Sequence, residues 1–201
     1  MTPSARTGSD EEEHIDQRHR IVDLNAADQG RVEQAARLLL GAFRDRSAAW
    51  PDIDSARQEV LESLEPGRIS RLAIDNAQNV LGWIGGQPQY DGAVWELHPL
   101  VVAPHVRRRG IGRALVEDLE KAVVERGALT LWLGSDDEID ETSLSRVDLY
   151  DDLPAKLASF SSGGDHPADF YRRLGFSVVG VMPDANGRGK PDIFFAKRVG
   201  K

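Results

Sequence analysis

The chain has 201 residues, 40% of them hydrophobic, which is enough to bury one full core and fits one globular domain. It contains no cysteine, which excludes a disulfide framework, a thiolate metal site and a cysteine nucleophile. A net charge of −8 argues against a nucleic-acid binder and suits a cationic ligand, although a moderately acidic surface is also ordinary for a soluble protein. No apolar run approaches the roughly 18 residues of a membrane span, and no basic-then-apolar leader is present, so the chain reads as soluble, cytoplasmic and without a membrane partner.

Residues 1–19 are polar, with an acidic cluster at 10–13, and are expected to be a disordered tail ahead of a domain over 20–201. Residues 20–24 can form a first strand. Asp28 is placed to cap a helix whose apolar positions Val32, Ala35, Ala36, Leu39, Leu40 and Phe43 keep helical spacing. Trp50-Pro51 ends that unit. A second helix is expected from Asp54 or Ser55 through Val60, Leu61 and Leu64, stopped by Pro66-Gly67. Strands follow over 69–75 and 80–89, joined by turn residues 76–79.

The stretch 95–112 runs apolar from 97 to 102, turns at Pro104, and passes through Arg107, Arg108 and Arg109 into Gly110-Ile111-Gly112. A helix then opens, with Ile111, Leu115, Leu119, Ala122 and Val123 on one side and Arg113, Glu117, Glu120 and Lys121 on the other, ending near Gly127. Strand, basic glycine-containing loop and helix start make a polyanion site, because the first helical turn offers unpaired N–H groups and the positive end of the dipole. The pattern is neither a Walker loop nor a three-glycine dinucleotide fingerprint. A basic patch before a glycine, taken alone, also fits a solvated helix start.

Next come a strand over 129–133 and an acidic stretch, 135–142, that carries Asp136, Asp137, Glu138, Asp140 and Glu141. So many carboxylates in so few residues predict a surface loop, either merely solvated or an electronegative wall for a polyamine. A helix is expected around 154–160. Another should begin near Asp165 or His166, with Pro167 in its first turn, and end at Gly175. Strands over 176–182 and 193–197 read as a closing hairpin, with Asn186-Gly187 at the tip.

The loop Arg107-Arg108-Arg109-Gly110-Ile111-Gly112 resembles the R/Q-x-x-G-x-G/A loop of the GNAT N-acetyltransferases, and the order of elements over roughly 20–197 is similar to theirs. Several segments resemble, more narrowly, the aminoglycoside 6′-N-acetyltransferases of that superfamily. They include Trp50-Pro51, 85–90, 95–102, 133–137, His166-Pro167, Phe170-Tyr171, 174–176 and 189–193. The longer N-terminal tail and the extra loop arginines depart from that pattern.

The resemblance implies an α/β (α+β) fold with a central mixed, mostly antiparallel sheet flanked by helices. It implies acetyl-CoA as co-substrate, no metal, a cationic amine acceptor and a homodimer. Carried over by position, Leu100, Val101, Val102, Arg107, Arg108, Arg109, Gly110, Ile111, Gly112 and Arg113 would meet the coenzyme, with the Leu100 amide on the thioester oxygen. Trp50, Tyr90, Glu96, Asp136 and Asp137 would meet the acceptor, and Glu96, His98, Leu100 and Tyr171 would serve catalysis.

The residues support part of this independently. Acetyl transfer to an amine needs a neutral amine against a carbonyl, a donor for the oxyanion and a proton for the departing thiolate. Pro99 lacks an N–H and can distort the strand enough to free a backbone donor, though an edge-strand proline would look the same. Glu96 and His98 alternate with Leu97 and so share a face, where they could orient an ammonium or simply meet solvent. Tyr171 could donate a proton or merely pack at a helix–sheet junction. An acetyltransferase for a polyamine or peptide amine, and an acyl-CoA-binding module without turnover, remain alternatives.

Overall fold

In a computed structural model of the chain, residues 19–44, 49–163 and 166–200 are described, and within them lie seven strands and five helices. The expected tail falls almost wholly outside the described residues, as does Asp165. Helix α1 (Gln29–Phe43) begins where expected, with the Asp28 carboxylate accepting the Arg31 N–H at 3.0 Å. Helix α2 (Ile53–Glu62) starts earlier than its apolar spacing suggests. Asp52 accepts the Ser55 N–H at 2.8 Å while the Ser55 hydroxyl takes the Asp52 N–H, a reciprocal cap that moves the helix start to Ile53.

The strands are β1 (Arg20–Asp23), β2 (Ile69–Ile74), β3 (Val80–Gln89), β4 (Val94–Val102), β5 (Thr130–Asp136), β6 (Ser177–Met182) and β7 (Asp192–Arg198). They form one sheet in the order β1-β2-β3-β4-β5-β7-β6, antiparallel at every pairing except β4 with β5. Helix α3 (Ile111–Glu125) carries the chain from β4 back to its parallel neighbour, the crossover that a parallel pair requires. Strand β5 is longer than expected: Gly134, Ser135 and Asp136 pair with β7 rather than entering the loop.

Two hydrophobic clusters sandwich the sheet. On one face Val32, Ala35 and Leu39 of α1 and Ala56 and Val60 of α2 pack on Leu72, Ile74, Trp83 and Val101. On the other, Ile111, Leu115, Leu119 and Val123 of α3 meet Ile84, Trp95, Leu97, Leu131, Leu133, Ile193 and Phe195. Short helices α4 (Leu153–Ala158) and α5 (Ala168–Arg173) extend this second layer, with Tyr171 in its core.

The first cluster takes no residue from β5, β6 or β7. That half of the α1–α2 face therefore presents the residues that alternate with the buried ones: Trp132, Gly134 and Asp136 on β5, Asp192 and Phe194 on β7. Glu96 sits beside Trp132 in the parallel register and joins the same surface. Among the described residues, no helix is long and apolar enough to cross a membrane.

Candidate active site

Strand β4 organises the site through one irregularity. Against β3, Ile84 faces Leu100 and Gly86 faces Leu97, so two steps on β3 span three on β4. The extra residue is a bulge at His98-Pro99, a peptide bond that is cis, and Gly85 lies opposite it. A Cβ at Gly85 would come within 2.2 Å of the His98 carbonyl oxygen, so only glycine admits this approach. The bulge also reverses which side chains face which layer: Trp95 and Leu97 enter the α3 core, whereas beyond it Val101 enters the α1–α2 core and Leu100 and Val102 turn toward α3.

Beyond the bulge the strand also loses its neighbour. β4 pairs with β5 only over Val94, Trp95 and Glu96, although both strands continue. The edge of β4 from Leu97 to Val102 is thus open toward β5. The Ala103 N–H bonds to the Leu81 carbonyl at 2.8 Å, which fixes the alternation of the antiparallel ladder. Val101 then exchanges bonds with Trp83, while Leu100 and Val102 direct their N–H and C=O groups away from β3. The Val102 carbonyl accepts Arg107 Nε at 3.2 Å on that side. Leu100 therefore turns its N–H toward the opening; the Val101 side chain is in the core and its N–H belongs to β3.

At the end of the opening stands the N-terminus of α3. Gly110 precedes it in the left-handed region, φ 85°, a conformation that favours glycine. The first intrahelical bond runs from the Ala114 N–H to the Gly110 carbonyl, so Ile111, Gly112 and Arg113 keep N–H groups without intrahelical partners. Gly112 lies under the Phe170 ring, 3.3 Å from where its Cβ would be. Arg107, Arg108 and Arg109 are exposed around this end, and Arg113 pairs along the helix with Glu117 at 3.5 Å. Unpaired first-turn amides, the positive end of the helix dipole and nearby guanidinium charge are the ingredients of an anion site.

On the α1–α2 face, Glu96 is held from β3: its Oε2 accepts Gln87 Nε2 at 3.0 Å and Gln89 Nε2 at 2.6 Å. His98 does share its face. Its ring lies 5.9 Å from Trp50, and its Nε2 is 3.7 Å from Glu59 Oε1, while Glu59 Oε2 accepts Trp50 Nε1 at 3.3 Å. Trp50 and His98 are thus brought together by a residue of α2 that sequence spacing gave no reason to choose. Tyr90, 78% exposed, is at the tip between β3 and β4, with φ 48°. Trp132 and Phe194 form an edge-to-face pair, ring centroids 5.7 Å apart, and Asp136 accepts the Asn186 side-chain amide.

Residues 33–152 match the model of the acetyltransferase (GNAT) family. The chain belongs to this family. An aminoglycoside 6′-N-acetyltransferase complexed with coenzyme A is 40% identical over 90% of this chain and 97% of that one, with a TM-score of 0.83. The aminoglycoside 6′-N-acetyltransferase from Enterococcus faecium is 40% identical over the same shares, with a TM-score of 0.81. An aminoglycoside 6′-acetyltransferase type Ii is 34% identical over the same shares, with a TM-score of 0.67. A comparison with curated proteins found no match. As a GNAT enzyme the protein is an acetyl-CoA-dependent N-acetyltransferase, and the mixed, mostly antiparallel sheet is the one the loop motif implied.

Asp137 cannot be part of an acceptor wall. It is 1% exposed, and its carboxylate accepts the Glu141 N–H at 2.7 Å, the Thr142 N–H at 2.8 Å and the Ser145 hydroxyl. Burial alone would raise its pKa; the Ser145 hydroxyl and the Glu141 and Thr142 groups outweigh burial and hold the carboxyl below its usual range. Asp136 ends β5 and Asp137 follows directly, so the two point to opposite sides, and only Asp136 remains on the open sheet face.

Tyr171 is 7% exposed, ringed by Phe170, Phe176 and Phe195 at 5.1, 5.7 and 6.0 Å. Burial pushes its phenol well above the ordinary range, so it keeps its proton at neutral pH. Asp192, which the sequence did not single out, is in register with Asp136 and near enough to Glu96 for its charge to act on it. Its only sequence signal is a lone acid in the Gly189-Lys190-Pro191-Asp192 segment.

Proposed function

We propose that this GNAT enzyme is an aminoglycoside 6′-N-acetyltransferase that works by direct attack of the acceptor amine. The observation that carries the reading is the open sheet face beside the strand gap. It combines the carboxylates of Glu96, Asp136 and Asp192 with the rings of Trp132 and Phe194, a surface matched to a cationic amino sugar with apolar ring faces. The aminoglycoside acetyltransferases that are 40% identical support the same acceptor class.

Acetyl-CoA, when bound, supplies an activated thioester carbonyl. The α3 first-turn amides with Arg107, Arg108 and Arg109 hold the pyrophosphate, and the Gly110 turn keeps the backbone clear of it. The Leu100 N–H donates to the carbonyl oxygen as negative charge develops there. Glu96, fixed by two glutamine amides, and His98 position the ammonium. Tyr171, a phenol that is protonated at neutral pH, donates to the departing sulfur. In its host the enzyme is a cytoplasmic homodimer conferring aminoglycoside resistance.

Coenzyme A release measured across kanamycin-type drugs, a drug with a 6′-hydroxyl, spermidine and a basic peptide tests the reading. The highest kcat/KM is expected for the kanamycin-type drugs and none for the 6′-hydroxyl drug, which lacks the attacking amine. Turnover of spermidine or the peptide without kanamycin would replace the acceptor and leave an acetyltransferase for another amine.

A further inference from the structure

Asp192 lies in a resembling segment, 189–193, but is none of the site residues that the resemblance implies. It opens β7, in register with Asp136 on β5 and Met182 on β6. Its carboxylate leans over Gly134, which is exposed: a Cβ there would lie 2.6 Å from Oδ2 and 2.9 Å from Oδ1, so the absent side chain is what makes room for the acid. Oδ1 is fully buried and has no hydrogen-bond partner among the described residues. No Lys or Arg pairs with Asp192 among them either.

The charges that act on Asp192 are negative: Asp136 from β5 and Glu96 from β4. Met182 on β6 carries none, and further along the α1–α2 face His98 Nε2 lies 3.7 Å from Glu59 Oε1. Glu96 Oε2 accepts both the Gln87 and the Gln89 side-chain amides, which fixes the carboxylate in place and leaves it able to accept further bonds from a cation.

We propose that Asp192 takes the proton which the acceptor's ammonium must lose before attack, while Glu96 holds that ammonium in place. This rests on the reading above that the acceptor amine enters on this face. One N–H bond of the ammonium breaks and its proton passes to Asp192 Oδ2, the oxygen over Gly134. The electron pair stays on nitrogen and forms the new N–C bond. As the C–S bond breaks, its pair leaves with sulfur, which takes up a proton. The second proton lost by nitrogen balances that uptake, so one proton is released per turnover, from Asp192 to solvent.

The electrostatics agree with the geometry. Burial, then the Asp136 charge, then the Glu96 charge raise the Asp192 pKa, against the Ser135 and Ile193 amides, to about 7. A base titrating near the working pH is better matched to an ammonium than an ordinary carboxylate near 4.

The test is the pH profile of kcat/KM at fixed ionic strength for wild type, Asp192→Asn, Asp192→Glu and Glu96→Gln, together with ¹³C NMR of the aspartate carboxyls in the wild-type enzyme. Wild type should rise through a limb near pH 7. Asp192→Asn should lose that limb and about 10²-fold in kcat with acetyl-CoA affinity unchanged. Asp192→Glu should restore a shifted limb, and Glu96→Gln should raise KM and keep the limb, moved to lower pH because the Glu96 charge is gone.

An Asp192→Asn enzyme with the wild-type limb and kcat would overturn the proposal. Where that variant fails to fold, the NMR decides: an Asp192 resonance titrating near 7 and falling when kanamycin binds supports the role, and one near 4 that ignores the drug ends it. If kanamycin is not a substrate but another amine is, the acceptor reading fails, and the same profile with that amine still decides the role of Asp192.

Discussion

The two halves of the candidate site are built in opposite ways. The coenzyme end is local and made of backbone: the run from Leu100 to Arg113 supplies an unpaired strand amide, a left-handed glycine and the first turn of a helix. The acceptor face is made of side chains from α2, β3, β4, β5 and β7, brought together by strand register across more than a hundred residues of sequence. A backbone site depends on residue types that permit a conformation. A side-chain site depends on which residues the topology places side by side, and single changes there should have graded effects.

That contrast is sharpest at Gly110. Gly110→Asp imposes a side chain where φ is 85° and a negative charge at the positive end of α3, so acetyl-CoA affinity should fall by at least about 100-fold by calorimetry. Unchanged affinity would break the assignment of the coenzyme end.

Tyr171 lies between the halves, packed as core yet next to Phe170, which covers Gly112. Tyr171→Phe keeps the ring and removes the donor. Under conditions where chemistry limits the rate, kcat should fall by about 10²-fold with little change in acceptor KM; full turnover would return the residue to a packing role.

Smaller effects separate the two neighbouring aspartates. Asp137→Ala should cost about 2–3 kcal/mol in denaturant unfolding, because the Glu141 and Thr142 amides and the Ser145 hydroxyl lose a buried acceptor. Asp136→Asn should leave stability within about 0.5 kcal/mol and raise KM for kanamycin-type acceptors only a few-fold, a difference that added salt shrinks. A salt-dependent KM defect in the Asp137 variant, at intact stability, would erase the distinction.

The same contrast explains what could be read from the sequence. The strand, the arginine–glycine loop and α3 were legible because each follows from residues adjacent in the chain, and the cap at Asp28 and the shared face of Glu96 and His98 follow from simple periodicities. The α2 start was misplaced because the reciprocal bonds of Asp52 and Ser55 outrank apolar spacing. Asp137 was misjudged because a run of acids reads as one exposed surface, whereas strand alternation turns the second acid inward. Asp192 and Glu59 were missed because their meaning lies in pairings with β5 and with Trp50 and His98 that no local pattern encodes.

The extra residue in β4 has a consequence for how such an enzyme can diversify. By reversing the sidedness of the strand at His98-Pro99, it lets one continuous strand serve two masters: the segment before it shows Glu96 and His98 to the proposed acceptor face, and the segment after it shows Leu100 and Val102 to the α3 layer. Substitutions on the first segment can retune which amine is accepted while donor handling stays fixed. Removal of a single residue there would turn one segment inside out and scramble both recognition tasks at once.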